Sequence, residues 1–379
     1  MLTPEQWDKV GSQAVKIYEE LELEIIKEIA ERISNFNYAN TVVLNDILIA
    51  QEMGLLYEDI ILLVAKYNET SVTQVKEIFE SAGVLSLEKD DKIYKKNGLK
   101  PLPLKQSKDM WRFLETTAIK TNLNLENMML TTANTSQNQF YNAINKAYLE
   151  VSTGVKSYSE AIIDSIKQIS KEGTNILYPS GQKRSVEAAV RMNILTSVNQ
   201  TCGKLQEMRA DEMGCDLMEI TAHSRARPEH AEWQGKIVSR SGKNKKYLSV
   251  LDIGYGTATG FKGVNCRHDW MPYYEGSVKT YSKKELNKIN NEYVIYNGRK
   301  ISTYDATQIQ RKMERQIRND KKEIIGLETI LKSDNKDLNL EKLNIEIQNA
   351  KLIKKNHNDL LNDFIKQTEF KKDNLRLKI

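Results

Sequence analysis

Apolar residues at Trp7, Val10, Ala14, Ile17, Leu21, Ile25, Ile29 and Ile33 return every three to four positions, which places them on one stripe of an α-helix about 30 residues long. A strand needs a period of two, so the chain is constrained to open as a helical body. Thr3, Pro4 and Gln6 supply the start signal: a capping residue, a proline at the first helical position and the far member of a capping box. Similar patterns predict helices near 43–53, 56–66 and 71–82. Pro101 and Pro103 then exclude regular helix. Periodicity resumes over 108–133, 137–151, 157–172 and 183–213, with Tyr178-Pro-Ser-Gly181 marking the turn before the last of these.

After Gly214 the character changes. Asp216–His223 alternates like a strand, and 236–240 and 247–251 are further strand candidates. Seven of the 18 glycines fall between Gly235 and Gly276, the mark of a compact, turn-rich module. Helix returns from Ser282 and over 304–331, and 338–370 reads as an amphipathic hairpin or coiled-coil arm. The expected architecture is therefore α+β and predominantly helical. It comprises an N-terminal helical region over 1–100, a central helical region over 104–214, a small Gly-rich mixed β module over 215–280 and a basic helical arm over 281–379.

Charge is polarised. Residues 1–60 carry twelve acids against four bases, and residues 279–379 carry 23 bases against 15 acids, within a net charge of only +5. Such ends suit different partners, an acidic start for protein and a basic tail for phosphate or an acidic surface. Three cysteines at unrelated spacings (Cys202, Cys215, Cys266) make no disulfide framework and imply reduced thiols in a cytoplasmic setting. Residues 1–5 show no basic or apolar leader, and no apolar run approaches the ~18 residues of a membrane span.

The chemically capable residues concentrate between His223 and His268, which holds three of the four histidines, one of the three cysteines and His223-Ser-Arg-Ala-Arg-Pro-Glu-His230-Ala-Glu-Trp-Gln-Gly235. His223, His230, Cys266 and His268 are the right types for four-coordinate zinc, although Cys-x-His and His-x6-His are not zinc-finger spacings. The competing reading is a metal-free packed module without any cofactor, in which these side chains bond backbone carbonyls. Cys266 beside Arg267 and His268 is also a candidate low-pKa nucleophile. Arg225, Arg227, His230 and Arg267 would suit a nuclease or ADP-ribosyl transfer site, but only Glu229 and Glu232 lie near as carboxylates for Mg²⁺. The run Gly254-Tyr-Gly256-Thr-Ala-Thr-Gly260-Phe-Lys-Gly263 is one residue too long for a dinucleotide fingerprint and leads into Asn265-Cys266, so a turn connector is expected. Lys243–Lys246, Arg311-Lys312, Lys321-Lys322 and Lys371-Lys372 are too dispersed for sequence readout, leaving salt-sensitive phosphate contact as their chemistry.

These residues carry a resemblance. Tyr178-Pro-Ser-Gly181, Ala189-Val-Arg-Met192, the 223–235 motif (with Arg225, Arg227, Pro228, Trp233, Gln234 and Gly235), Gly254-Tyr-Gly256, Gly263-Val-Asn265-Cys266-Arg267-His268, Pro272-Tyr-Tyr-Glu-Gly276 and Tyr304–Arg311 running into Glu314–Arg318 together make the chain similar to the phage minor capsid protein 2 family, related to head-morphogenesis proteins of the Mu F type. The likeness spans roughly residues 1–330, with its distinctive motifs between about 175 and 320. It implies a non-enzymatic structural component of a tailed-phage head, made in the host cytoplasm and built at low copy into the head interior near the portal. Portal, capsid and scaffold proteins are the implied partners. Packaged double-stranded DNA is the further partner expected for the basic arm, and no membrane is involved. The alternative from the residues alone is a zinc- or cysteine-dependent enzyme centred on His223, His230, Cys266 and His268.

Overall fold

The computed structural model describes residues 6–7, 10–38, 42–333 and 335–377; the Thr3–Pro4 start signal lies outside the described residues. Helix α1 (Ser12–Asn35) follows Gly11, whose φ of +77° breaks the run from Trp7. It buries Ala14, Leu21, Ile25, Ile29 and Ile33, the stripe the period predicts. Next comes α2 (Val42–Lys96), a single 55-residue helix where three shorter ones are predicted. The segment contains no proline. Gly54 and the polar stretch at 68–71 cost at most about 1 kcal/mol each in helix propensity, and burial of Ile49, Leu56, Ile60, Val64, Val75 and Phe79 outweighs that.

Leu104–Gln106 forms a 3-10 turn after the two prolines, followed by α3 (Lys108–Ser152). The predicted interruption of α3 near 134–136 is absent; Thr131, Thr132 and Thr135 lie in continuous helix with their hydroxyls donating to carbonyls one turn back. Helix α4 (Tyr158–Glu172) starts at a capping box of Ser157 and Glu160. The Tyr178-Pro-Ser-Gly181 turn joins the two-residue strands β1 (Ile176–Leu177) and β2 (Lys183–Arg184), which sequence reading did not find. Helix α5 (Val186–Glu212) follows.

The module after Gly214 is a four-stranded sheet in the order β5-β4-β3-β6, from β3 (Leu217–Ile220), β4 (Ile237–Ser239), β5 (Leu248–Ser249) and β6 (Trp270–Pro272). A one-turn helix, α6 (Pro228–Ala231), sits between β3 and β4. Strand β3 is antiparallel to β4 and β6, and β4 is parallel to β5. Alternation in β3 does not mean one wet face, since all four residues are buried. Met218 and Ile220 join a core of Trp233, Val238, Phe261, Cys266 and Trp270, while Glu219 takes hydrogen bonds from the Thr280 amide and hydroxyl. Beyond the sheet come α7 (Lys283–Asn290), a hairpin of β7 (Tyr293–Tyr296) and β8 (Arg299–Ser302), and then α8 (Thr303–Leu331), α9 (Leu340–Thr368) and α10 (Asn374–Leu377).

Internal contacts divide the chain into two interleaved units. One takes in 1–14, 72–123 and 191–308 and contains the sheet. The other takes in 15–71, 124–190 and 309–379 and is helical apart from β1 and β2. In this second unit α9 is not a bare extension: Leu343, Ile347, Leu361 and Phe364 are buried, Lys342 and Asn339 bond Glu160 and Ser159, and Leu361 packs with Ile317 and Leu377. Buried Lys322 pairs with buried Glu22 at 2.6 Å. No helix among the described residues is long and apolar enough to cross a membrane.

Candidate metal centre

Three of the four histidine and cysteine side chains singled out in the sequence meet at one point. His230 Nδ1 lies 3.4 Å from His268 Nδ1, and Cys266 Sγ lies 3.7 Å from His268 Nδ1 and 4.0 Å from His230 Nδ1. His230, Cys266 and His268 are buried, at 3%, 4% and 1% exposure, and among the described residues no fourth His, Cys, Asp or Glu completes the group.

Each member is delivered by a different piece of local structure. Pro228, with no N–H to lose, opens α6 and sets His230 in its turn. The β3–β6 ladder extends past its last strand pair: the Thr221 amide donates to the Asp269 carbonyl and the Asp269 amide to the Thr221 hydroxyl, both at 2.8 Å. That pairing brings the 266–269 run to the end of β3, and Cys266 and His268, two residues apart, share one side of it. Asn265, at a φ of +56°, makes the turn into this run and donates its amide to Thr196.

The glycine run is a connector folded on itself. Gly254 and Gly256 adopt φ of +71° and +85°, and Gly260 comes so close to Gly254 that a Cβ there would meet its carbonyl oxygen at 2.1 Å. No helix follows, which excludes the phosphate-loop reading. The fold-back instead presents the Thr259 carbonyl to His230 Nε2 at 2.8 Å and the Val264 carbonyl to the Arg227 guanidinium.

Gln234 organises the other side. Asn290 Nδ2 donates to the Ala231 carbonyl, Gln234 Nε2 donates to Asn290 Oδ1, and Gln234 Oε1 then accepts the His223 amide at 2.9 Å and His268 Nε2 at 3.0 Å. Gly235, at a φ of +70°, turns the chain into β4, and a Cβ there would strike Leu286 at 2.3 Å. Trp233 lies against both rings, with centroids 4.5 Å from His230 and 4.8 Å from His268.

His223 is brought beside the cluster but not into it. Its ring stacks on His268 at 4.4 Å, and its buried Nε2 has no hydrogen-bond partner among the described residues. Burial, with the Arg267 charge behind it, pushes the His223 ring down to about 4. Burial also lowers His230 and His268. Arg225 is exposed and Arg267 half-buried.

The surroundings of Cys266 weigh against the nucleophile reading. Burial raises the thiol, and this outweighs the opposing hydrogen bonds from backbone and the nearby positive charges of Lys262 and Arg227. A thiol that keeps its proton at 4% exposure is a poor attacking group.

Sequence reading missed a second layer. Lys262 Nζ bonds Asn199 Oδ1 at 2.8 Å and Asp269 Oδ1 at 2.7 Å, in an ion pair whose side chains are 2% and 0% exposed. Asn199 Nδ2 in turn holds the Cys266 carbonyl at 2.7 Å. Burial alone would raise the Asp269 carboxyl; the Lys262 ammonium overrides it and leaves the group below its ordinary value. The available signal lay on α5, where Asn199 and Gln206 stand seven residues apart on one helical face and are both buried.

Comparison with known proteins agrees with the motifs. No solved structure matches. A "Structural protein" of Lactococcus phage LL-H is 30% identical over 281 residues, covering 70% of this chain and 73% of the relative. A "Structural protein" of Lactococcus phage mv4 is 36% identical over 87 residues, covering 23% of this chain and 63% of the relative. The model of phage minor capsid protein 2 matches residues 2–366, and the chain belongs to the phage minor capsid protein 2 family.

Proposed function

We propose that the chain serves as a non-catalytic structural protein of the phage head interior, built in at low copy beside the portal after assembly in the host cytoplasm. The observation that carries the reading is the match to a phage structural protein, which covers 70% of this chain and 73% of that relative. The surface supports protein partners. Helix α9 buries one side and exposes Leu340, Ile345, Leu352, Ile353 and Leu360 on others, more apolar area than a helix facing only water needs. The buried Cys266 thiol supports the non-catalytic part.

In this reading the 216–276 module is a rigid knot, pinned by Arg227 to Val264, by His230 to Thr259 and by the residues around Arg267. The exposed lysines of the C-terminal helices are the groups that would face packaged DNA. Lys321 and Lys322 do not belong to that set: Lys321 bonds the Leu377 carbonyl and Lys322 is buried against Glu22.

Quantitative mass spectrometry of particles separated into empty proheads and full heads tests the assignment. The chain is expected in proheads at a few copies per portal ring. Absence from every particle fraction would overturn it. DNA contact is tested by charge rather than truncation, because α9 is packed into its unit. Substituting the exposed Lys355, Lys366, Lys371 and Lys372 by Glu should abolish salt-sensitive binding to nonspecific duplex; unchanged binding would sink the DNA contact.

A further inference from the structure

We infer that His230, His268 and Cys266 form a binding site for one tetrahedral transition-metal ion, zinc by its ligand chemistry, which ties α6, the glycine connector and the approach to β6 together. His230 Nε2 faces the Thr259 carbonyl and therefore carries its hydrogen. His268 Nε2 faces Gln234 Oε1, whose identity as oxygen is set by the Ala231 carbonyl at one end of its network and the His223 amide at the other. It too carries its hydrogen. In both neutral rings Nδ1 is then a bare lone pair, and the two lone pairs point to the same place, 3.4 Å apart.

Without an ion the arrangement is short of hydrogens. The Cys266 thiol has one proton for two imidazole acceptors, so one Nδ1 is left without a hydrogen from the cluster in a buried site. Charging one ring would supply the second proton. Both rings are buried, which opposes a positive charge on either. A divalent cation satisfies all three donors at once.

The distances agree with this. Zinc takes imidazole nitrogen at about 2.0–2.1 Å and thiolate sulfur at about 2.3 Å, which in a tetrahedron separates two nitrogens by about 3.4 Å and nitrogen from sulfur by about 3.6 Å. The observed separations are 3.4 Å for the nitrogen pair and 3.7 and 4.0 Å for sulfur. The outer hydrogen bonds have the form metal-bound histidines use, each ring donating its far N–H to a carbonyl or amide oxygen. Binding converts Sγ–H to thiolate and releases that proton to solvent, and the fourth position falls to a solvent molecule. This inference stands apart from the head-assembly reading, since neither result of the particle experiment bears on it.

The test uses the untagged chain from zinc-supplemented cells. Elemental analysis should give about one zinc per chain after dialysis. Exchange into Co²⁺ should give the intense visible bands of a tetrahedral ion together with a near-ultraviolet thiolate-to-cobalt band. Cys266→Ser should lose the thiolate band. If that variant does not fold, the Cys202→Ser/Cys215→Ser chain decides, because Cys266 is then the sole thiol, and it should keep the band. Zinc no higher than the buffer blank with no cobalt spectrum, or a thiolate band that survives in folded Cys266→Ser, would overturn the inference.

Discussion

His268 Nε2 donates to Gln234 Oε1 at 3.0 Å, so the amide of one buried residue decides which nitrogen of another keeps its proton. Gln234 does this while also holding the His223 amide and Asn290. Gln234→Ala should orphan two donors and an acceptor at a 3%-exposed position, at about 1–3 kcal/mol for each group that stays dry. Asn290→Ala disturbs only the outer end of the network and should cost less. Urea unfolding of the two variants orders them; equal losses would show that Gln234 is not the organising residue.

The Lys262–Asp269 pair gives a sharper contrast. Both side chains are out of solvent, and Lys262 also satisfies Asn199. Lys262→Met leaves a buried carboxylate without its cation and should lose about 3–5 kcal/mol. Lys262→Met combined with Asp269→Asn removes the orphaned charge and should recover part of that loss. If the double variant is as unstable as the sum of two independent singles, the pair is not coupled.

What was legible follows from which forces act locally. The stripe through Leu21, Ile25, Ile29 and Ile33 predicted its own burial because helical phase is set within a few residues. The turn chemistry of Gly254–Gly263 was legible for the same reason. Continuity of α2 through Gly54 was not, since packing partners distant in sequence override a weak local preference. Strand β6 was hidden in the same way: Trp270–Pro272 is three residues long, and only its register against Met218–Ile220 makes it a strand. The cluster was half legible. Residue types named His230, Cys266 and His268, whereas His223 had equal claim and only the fold sets it to one side, stacked on His268. The layer beneath, Asn199 with Lys262 and Asp269, depends on contacts across more than 60 residues.

Gly260 is held by backbone rather than by side chains. A methyl group there would meet the Gly254 carbonyl carbon at 2.5 Å as well as its oxygen, and neither atom can rotate away. Gly260→Ala should therefore open the connector that carries Thr259 to His230, at about 1–3 kcal/mol. Gly256→Ala is the comparison: its Cβ meets nothing, and only the φ of +85° opposes it. Thermal unfolding should place Gly260→Ala below Gly256→Ala. Matching midpoints would mean that the close approach at Gly260 is relieved without cost.

Asp90 makes stability fall as pH rises. Its carboxyl accepts Gln206 Nε2 at 2.9 Å, and Gln206 also donates to the Trp270 carbonyl, so the acid sits under the sheet. Burial pushes it up to about 7, from an ordinary value of 3.8. In the unfolded chain the group releases its proton near 3.8, while the folded chain keeps it until about 7. Between those values folding takes up a proton, so stability from this group is complete below about pH 4, falls as pH rises and levels off above about pH 7. Asp90→Asn cannot ionise and should follow a flatter profile through that window, overtaking wild type toward its alkaline end. The comparison is made by urea unfolding of both proteins at steps across the window, because other titrating groups cancel in the difference. Parallel profiles for the two would show that Asp90 ionises in the folded chain as readily as in the unfolded one.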